Sequence, residues 1–424
     1  CLKRLEGAGA SEEELIDLVL QNDASELPKF YYLLNLLKKN NCLSFTFSHK
    51  NTPLFTLHAL TSRFQCEPQS FPEGEKIKLS KFALLRSDND QFILETPLSP
   101  IRCELHGVEV LNLVHQLTKA RLIQEIRSSL PEAVLKDLIA LLLHAQILTL
   151  FSNEKKDHTF IQWEFHDLLF HTRSRLGRHN NPYGGVYPFK KEIPPLPASK
   201  LPLSNERIAL FRPDIEKLKQ EDRPFTKVLE ERRSKRAHAD KPINVDQLGE
   251  FLFRSARREE LSHPNYKKQA LPQEVSRRPY PGGGAIYELE LYVVVNKCSG
   301  LKSGMYHYQP KEHALFLLDT SEGNRQALLN DAVGSTMSTT APQILFVMTS
   351  RFLRMSWKYR SMAYAVTLKN AGALLQTFYL VATAMDLAPC AVGGGNSDLF
   401  TQTVGIPYLE ETSICEFILG TEKC

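Results

Sequence analysis

The chain has 424 residues, which is too long for one hydrophobic core and indicates two or three domains. Its 42% hydrophobic and 24% charged residues are an ordinary globular balance, and a net charge of +4 gives no reason to expect nucleic acid or a membrane surface as a partner. No apolar run approaches the roughly eighteen residues that a membrane-spanning helix needs.

The cysteines and histidines give no metal signature. The eight cysteines are scattered, and no pair has the Cys-x-x-Cys spacing of zinc ribbons or thioredoxin-like motifs. His166 and His171 lack a third ligand at a suitable spacing, so we predict no metal site. Free thiols and the lack of a visible signal peptide favour a cytoplasmic protein. Because the sequence starts at Cys1 and not at Met, we expect the natural N-terminus to lie further upstream.

The first 80 residues are predicted to contain two helices and two strands. Ser11-Glu-Glu-Glu14 is a capping-box pattern that starts a helix ending near Gln21. A second helix, 29–38, carries leucines on one face. Strand-like segments follow at 42–47 and 54–60. Two helices and a short β-ribbon are the layout of a winged helix.

A similar order of elements recurs in residues 81–165. In chain order these are strands 82–86 and 91–96, helices 107–117, 122–129 and 132–145, and strands 147–151 and 159–163. We therefore predict winged-helix-like modules at 1–80 and 81–165. Helix 132–145 contains one basic residue, Lys136, whereas a DNA-reading helix needs clustered lysine and arginine. This favours two peptide-clamp modules, in which a peptide adds as a strand to the wing; a docking platform without peptide contact stays an alternative.

Residues 166–223 are rich in proline and predict an extended linker or wrapping arm. Residues 224–424 then form the predicted catalytic domain. Its predicted helices are 245–256, 321–331 and 361–385, and its predicted strands are 289–295, 304–308, 314–318, 343–349 and 414–419. Helices mixed with an antiparallel-type sheet predict an α+β fold. The polar segment 257–268 predicts a mobile loop that covers the site.

A basic cluster at residues 232–236 is the first chemical signal. Arg232, Arg233, Lys235 and Arg236 surround one hydroxyl, that of Ser234. Arginine forks match phosphate oxygens two at a time, and a serine hydroxyl adds one short hydrogen bond. The cluster can hold a phosphomonoester; a solvated basic loop is the alternative.

Two glycine triplets are the second signal. Pro281-Gly282-Gly283-Gly284 precedes a strand, and Val392-Gly393-Gly394-Gly395 follows a long apolar helix. Glycine lets a ligand approach the backbone where side chains would block it, although each triplet alone is more typical of a tight turn. Neither has the Gly-x-Gly-x-x-Gly pattern of dinucleotide-binding folds.

In this order and spacing, the three segments resemble the nitroreductase superfamily of FMN enzymes, from about Pro224 to the C-terminus. The resemblance implies FMN, with its phosphate held by Arg232, Arg233, Ser234 and Arg236. It implies further contacts from Pro281, Gly282, Gly283 and Gly284, where glycine stands at 282 in place of the usual serine. The turn whose amide faces flavin N5 corresponds to Val392, Gly393 and Gly394.

A narrower resemblance is carried by Trp357-Lys-Tyr-Arg360, which is similar to the Lys-Tyr pair of the azoline oxidases, also called SagB-type dehydrogenases. Trp163–Gly177 resembles the segment that precedes the flavin domain in that branch. The whole chain is most similar to the cyanobactin thiazoline oxidases. This implies Lys358 and Tyr359 as catalytic residues, an azoline-containing precursor peptide as substrate, a homodimer, and molecular oxygen as electron acceptor.

The implied reaction removes two hydrogens across one C–C bond of a thiazoline. The hydrogen on the former α-carbon leaves as a proton to a base, and the other leaves as a hydride to the flavin. Two alternatives stay open. An NAD(P)H-dependent nitro- or quinone reductase of the same fold would need neither the N-terminal half nor the Lys-Tyr pair. A non-catalytic flavin-bearing scaffold would only bind and present a peptide.

Overall fold

The computed structural model describes residues 1–6, 9–61, 70–154, 158–259 and 272–423. The chain forms two compact units, Cys1–Asn181 and Pro182–Cys424. Most of the predicted covering loop at 257–268 lies outside the described residues. Within the described part of the chain, no helix has the length and apolar character needed to cross a membrane.

The first unit is a mixture of helices and short strands. Its helices are α1 (Leu2–Glu6), α2 (Glu12–Asn22), α3 (Leu27–Lys39), α4 (Val108–Gln116), α5 (Glu132–His144), α6 (Phe151–Glu154), α7 (His158–Ile161) and α8 (Phe165–Arg173). Its strands are β1 (Phe45–His49), β2 (Thr52–Ala59), β3 (Ile77–Leu79), β4 (Leu84–Asp88), β5 (Gln91–Glu95), β6 (Ile101–Leu105) and β7 (Leu148–Leu150). The predicted capping box at Ser11 is present, with both reciprocal hydrogen bonds to Glu14.

One antiparallel sheet of order β1-β2-β6-β5-β4 runs through the first unit. It takes β1 and β2 from residues 1–80 and its other three strands from residues 81–165. Buried residues of α4 and α5 share one core with strands of this sheet. The division into two winged-helix-like modules stays a prediction, and the strand pairing of β2 with β6 joins the two segments.

Two predicted elements of the first unit were wrong. Residues 159–163 were expected as a strand, but α7 forms there, and Phe160 packs edge-on against Phe82 with ring centroids 5.4 Å apart. The expected helix 122–129 is reduced to one 3₁₀ turn, Ile123–Glu125. The chain just before that turn is extended, because Arg121 exchanges backbone hydrogen bonds with Ile77. Tertiary contacts therefore override local propensity at both places.

The second unit contains an antiparallel sheet covered by helices. Its helices are α9 (Ile215–Glu221), α10 (Phe225–Glu231), α11 (Val245–Ala256), α12 (Glu322–Thr336), α13 (Phe352–Ser356), α14 (Ala363–Ala384) and α15 (Ser397–Val404). Its strands are β8 (Gly184–Gly185), β9 (Arg207–Ala209), β10 (Leu289–Val295), β11 (Gly304–Gln309), β12 (Ala314–Leu318), β13 (Ile344–Ser350), β14 (Tyr359–Arg360), β15 (Leu387–Val392) and β16 (Thr412–Thr421). The predicted α+β fold is confirmed.

The seven-stranded sheet has the order β15-β16-β13-β10-β11-β12-β9 and is buried on both faces. Alternate residues of a strand point to opposite faces. Leu291 and Val293 of β10 accordingly join the core that contains α11 and α14. Tyr292 and Val294 join the core that contains α12 and α15. Helix α14 is the longest element, and its two sides position the residues described next.

Candidate active site

The basic cluster lies between the end of α10 and strand β15. The Lys235 backbone N–H donates to the Pro389 carbonyl at 2.8 Å. The Arg232 guanidinium lies 5.2 Å from the centroid of the Tyr379 ring, and the hydroxyls of Ser234 and Tyr379 are 2.8 Å apart. Tyr379 of α14 therefore fixes this end of the cluster.

The charges of the cluster are unevenly compensated. Lys235 forms an ion pair with Glu422 at 2.5 Å. Among the described residues, no carboxylate forms an ion pair with Arg232, Arg233 or Arg236. Arg233 and Arg236 are exposed, as is Ser234. Three guanidinium groups beside one hydroxyl are thus available to an anion.

The second glycine triplet continues from β15 on the same side of α14. The Ala391 N–H donates to the Tyr379 hydroxyl at 2.8 Å, so one tyrosine contacts both this strand and the basic cluster. A methyl group built on Gly393 would meet no atom within 4 Å, so that face of the turn is open. The Ser335 hydroxyl donates to the Gly394 carbonyl at 3.0 Å and steadies the turn.

A buried carboxyl group lies directly beneath this turn. A methyl group on Gly395 would overlap both carboxylate oxygens of Glu416. Burial raises the pKa of Glu416 to about 7, with a smaller contribution from Asp331 and an opposing hydrogen bond to Ser413. A side chain at position 395 would therefore require the Glu416 carboxylate to move.

The first glycine triplet is brought to the predicted catalytic pair. Gly284 has φ +64°, in the left-handed region that favours glycine. A methyl group there would lie 2.5 Å from the Tyr359 hydroxyl and 2.7 Å from the Lys358 ammonium. Both side chains are half-buried, and the ammonium lies 5.1 Å from the centroid of the Tyr359 ring. The terminal polar atoms of Lys358 and Tyr359 thus converge on one glycine.

An asparagine in the middle of α14 fixes the same triplet. The Asn370 carboxamide oxygen accepts from the Gly283 N–H at 2.9 Å. Its nitrogen donates to both carboxylate oxygens of Glu288, at 3.0 and 3.1 Å. Burial raises the pKa of Glu288. One amide therefore satisfies a turn N–H and a buried carboxyl at once.

The predicted residues fall into two groups on opposite sides of α14. The basic cluster and the second triplet contact Tyr379, whereas the first triplet contacts Asn370. Tyr379 lies nine positions after Asn370, and at 3.6 residues per turn this is about two and a half turns, which places the two side chains on opposite sides of the helix. Within one chain, the helix therefore lies between the anion-binding group and the group that contains Lys358 and Tyr359.

Sequence reasoning missed both of these helical residues. Asn370 carried a usable signal, since an amide in an otherwise apolar stretch of helix needs a hydrogen-bonding partner. Tyr379 carried no such signal in the sequence, because tyrosine is common in helices that pack on a sheet. Its function depends on where β15 and the basic cluster lie in three dimensions.

The residues fit an FMN cofactor. A phosphomonoester needs several cationic and hydroxyl donors at one place, and Arg232, Arg233, Ser234 and Arg236 provide them without carboxylate competition from the described residues. The flat flavin ring needs a backbone surface that no side chain covers. The open face at Gly393 is such a surface.

Two family models and several known proteins are similar to this chain. Residues 229–421 match the model of the nitroreductase family, and residues 77–180 match the model of the cyanobactin oxidase ThcOx. A protein of Methanocaldococcus jannaschii that is assigned to the nitroreductases is 30% identical over 182 residues, which cover 43% of this chain and 81% of the relative.

Two relatives are named for peptide processing. The microcin B17-processing protein McbC of Escherichia coli is 28% identical over 135 residues, or 31% of this chain and 49% of McbC. The trifolitoxin-processing protein TfxB of Rhizobium leguminosarum is 33% identical over 86 residues, or 20% of this chain and 23% of TfxB. The matched regions thus span less than half of either relative.

Solved structures are similar at a lower level. A nitroreductase-like crystal structure from Ralstonia eutropha has a TM-score of 0.40 and 20% identity, covering 57% of this chain and 99% of that chain. The Escherichia coli microcin synthetase McbBCD complex with truncated pro-microcin B17 contains a chain with a TM-score of 0.38 and 21% identity, covering 60% of this chain and 91% of that one.

Proposed function

Since the chain belongs to the nitroreductase family, we propose that it is an FMN-dependent oxidase that dehydrogenates thiazolines, with oxazolines as a second substrate class, in a ribosomally made peptide. Members of this family are typically FMN-dependent oxidoreductases. The match of residues 77–180 to a cyanobactin oxidase supports the azoline substrate. The observation that carries the proposal is the convergence of Lys358 and Tyr359 on Gly284.

The protein residues bind and orient the reactants and move one proton. Arg232, Ser234 and Arg236 would hold the cofactor phosphate by charge-assisted hydrogen bonds. A bound FMN would supply the two-electron redox chemistry, with molecular oxygen as the proposed final electron acceptor. Acting as a neutral amine, the Lys358 Nζ atom would take the proton from the acidic ring carbon and become an ammonium, and the Tyr359 hydroxyl beside it would stabilise or relay that proton.

We propose that the working unit is a homodimer in which each site combines two chains. The anion-binding group and the Lys358 group lie on opposite sides of α14, which supports a site built from the first group of one protomer and the second group of its partner. A twofold dimer would then contain two equivalent sites. Among the exposed apolar side chains of α14 are Tyr364 and Leu368, a composition suited to contact with another chain.

The N-terminal unit is proposed to bind the precursor peptide. Strands β1 and β4 form the two ends of its sheet, and an extended peptide could add to either edge. The charge of Lys136 on α5 is matched by Glu132 at 2.9 Å, which supports a peptide partner over DNA. Strongly salt-dependent binding of the full chain to duplex DNA would count against this role.

The test is to incubate the purified, flavin-loaded protein in air with a thiazoline-containing peptide and measure peptide mass. We expect the loss of two hydrogens for each azoline converted. Flavin that is bleached by NADPH and unaffected by the peptide would indicate a nitro- or quinone reductase instead. Flavin that responds to neither, in protein that still binds the peptide, would indicate a scaffold.

A further inference from the structure

The proline-rich segment Pro182–Lys200, here called the arm, lies against the proposed proton-handling pair. Gly184 and Gly185 pair antiparallel with Arg360 and Tyr359 as strands β8 and β14. A methyl group on Gly185 would lie 3.6 Å from the Lys358 side chain, which is ordinary contact distance. The arm therefore packs on Lys358, although it precedes the region that matches the nitroreductase family.

The arm is held in place by buried anchors. The Trp357 indole N–H donates to the Ile193 carbonyl at 2.7 Å, and the Trp357 side chain is 2% exposed. The buried Arg354 guanidinium donates to the Leu196 carbonyl. At the start of the arm, the Pro182 carbonyl accepts from the Ser361 hydroxyl at 2.9 Å. These contacts hold the arm in a fixed position beside Lys358 and Tyr359.

Tyr187 is the arm residue that faces the site. Its φ is +51°, an uncommon conformation for a non-glycine residue, and its N–H donates to the Lys358 carbonyl at 3.0 Å. Its ring packs edge-on against Trp357, with centroids 5.7 Å apart. Backbone strain of this kind persists only where the surrounding contacts determine it.

A cavity of about 400 Å³ lies between Tyr187 and the first glycine triplet. Its lining residues are Tyr187, Pro272, Gln273, Val275, Gly282, Gly284, Ala285, Ile286 and Lys358. This volume lies in the range of small-molecule sites. The lining combines apolar surface and an aromatic ring with the Lys358 side chain, so it suits a small planar ring next to a nitrogen that exchanges protons.

Gln273, which lines this cavity, carries a hydrogen-bond acceptor that has no donor among the described residues. Its side chain is 4% exposed, and its Nε2 donates to the Arg354 carbonyl at 2.9 Å. That bond fixes the amide orientation, since the oxygen in its place would face another oxygen. The Oε1 atom is buried and accepts no hydrogen bond from any of the described residues. A buried acceptor without a donor lowers the stability of the fold, and a ligand N–H that bonds to it would remove that cost.

We infer that this cavity is the binding site for the azoline ring together with one flanking peptide group. Tyr187 packs against the ring and Gln273 Oε1 accepts a peptide N–H, so both are positioning residues for the carbon that faces Lys358. The inference rests on the proposed function, and it assigns substrate recognition to the arm as well as to the flavin fold.

The first test replaces Tyr187 with Leu and with Phe, and uses the exposed neighbour Val186→Ala as the matched control. Equilibrium binding is measured for a thiazoline peptide and for the same peptide with an open cysteine. Tyr187→Leu should weaken thiazoline binding about tenfold while open-chain binding and flavin content stay unchanged. Tyr187→Phe should bind the thiazoline peptide as tightly as wild type does, because this variant keeps the aromatic ring. Equal losses for both peptides, or no loss, would overturn the inference.

The second test pairs Gln273→Leu with peptides that are N-methylated at the residue before or after the azoline. One methylation should weaken binding to the wild type several-fold and have little further effect on Gln273→Leu, since the acceptor is already gone. Equal methylation effects in both proteins would remove Gln273 from the site. If the wild type binds no azoline peptide, the proposed function itself fails; if it oxidises the peptide while these variants behave like wild type, only the cavity assignment fails.

Discussion

Lys358 and Tyr359 are adjacent in the chain, and at the residue scale their terminal atoms converge above the side-chain-free Gly284. Lys358→Ala and Tyr359→Phe should each lose turnover by roughly two to four orders of magnitude, the usual scale for general acid–base catalysis. FMN content and peptide affinity should be retained. Stopped-flow absorbance of the flavin under peptide excess measures this, with the exposed neighbour Arg360→Ala as control. Near-wild-type turnover of both variants would remove the pair from the mechanism.

Glu416, beneath the second glycine triplet, predicts a pH dependence of stability. Burial raises its pKa from 4.5 to about 7, so the folded state keeps a proton that the unfolded state has lost. The contribution of neutral Glu416 to the unfolding free energy is therefore at its maximum below about pH 4.5, and it is lost as the pH rises through 7.

Glu416→Gln stays neutral and should not show that loss. The unfolding free energy of Glu416→Gln minus that of wild type should rise by on the order of 1–3 kcal/mol from pH 5 to pH 8, because only the wild type loses stability over that range. Urea unfolding at both pH values tests this, and Gln substitution of the exposed Glu410 is the control. Parallel profiles for wild type and Glu416→Gln would contradict the buried-carboxyl interpretation.

At the scale of elements, α14 positions both halves of the site through two polar side chains. Asn370→Ala should leave the Gly283 N–H unpaired and the buried Glu288 carboxyl without its donor. We expect a loss of about 1–3 kcal/mol of stability and a lower thiazoline turnover, because the turn under Lys358 is released. Thermal unfolding and turnover measure these. Thr377→Ala is the matched control and should change both far less, because among the described residues the Thr377 hydroxyl bonds only to the Ala373 carbonyl of α14.

At the scale of the whole molecule, a site shared between two chains predicts complementation. Arg232→Ala/Arg236→Ala and Lys358→Ala homodimers should both be inactive, the former for lack of FMN. After unfolding and refolding as an equal mixture, half of the dimers are mixed and each holds one intact site. Activity should therefore recover to about a quarter of the wild-type value. No recovery, with mixed dimers demonstrated by a tag on one variant, would place each site within a single chain.

Sequence alone determined much of the second unit, because its signals are local. The predicted strand 289–295 and the predicted helix 245–256 match the observed bounds of β10 and α11. The basic cluster, the two glycine triplets and the Lys-Tyr pair predicted which residues to examine for a flavin site. Each of these depends on residue type and short spacing, which a sequence displays directly.

Only the tertiary structure decided which of those residues meet. Lys358 reaches Gly284 because α13 and β14 lie over the first triplet, and Tyr379 reaches Ser234 because β15 lies beside α14. The tertiary structure also contains a helix where the sequence predicted a strand at 159–163, because the packing of Phe160 on Phe82 outweighs a short alternating pattern. Tyr187 and Gln273 became visible only through a strained backbone and an unsatisfied oxygen. These properties arise from contacts between residues far apart in the chain, and such contacts leave no periodic trace in the sequence.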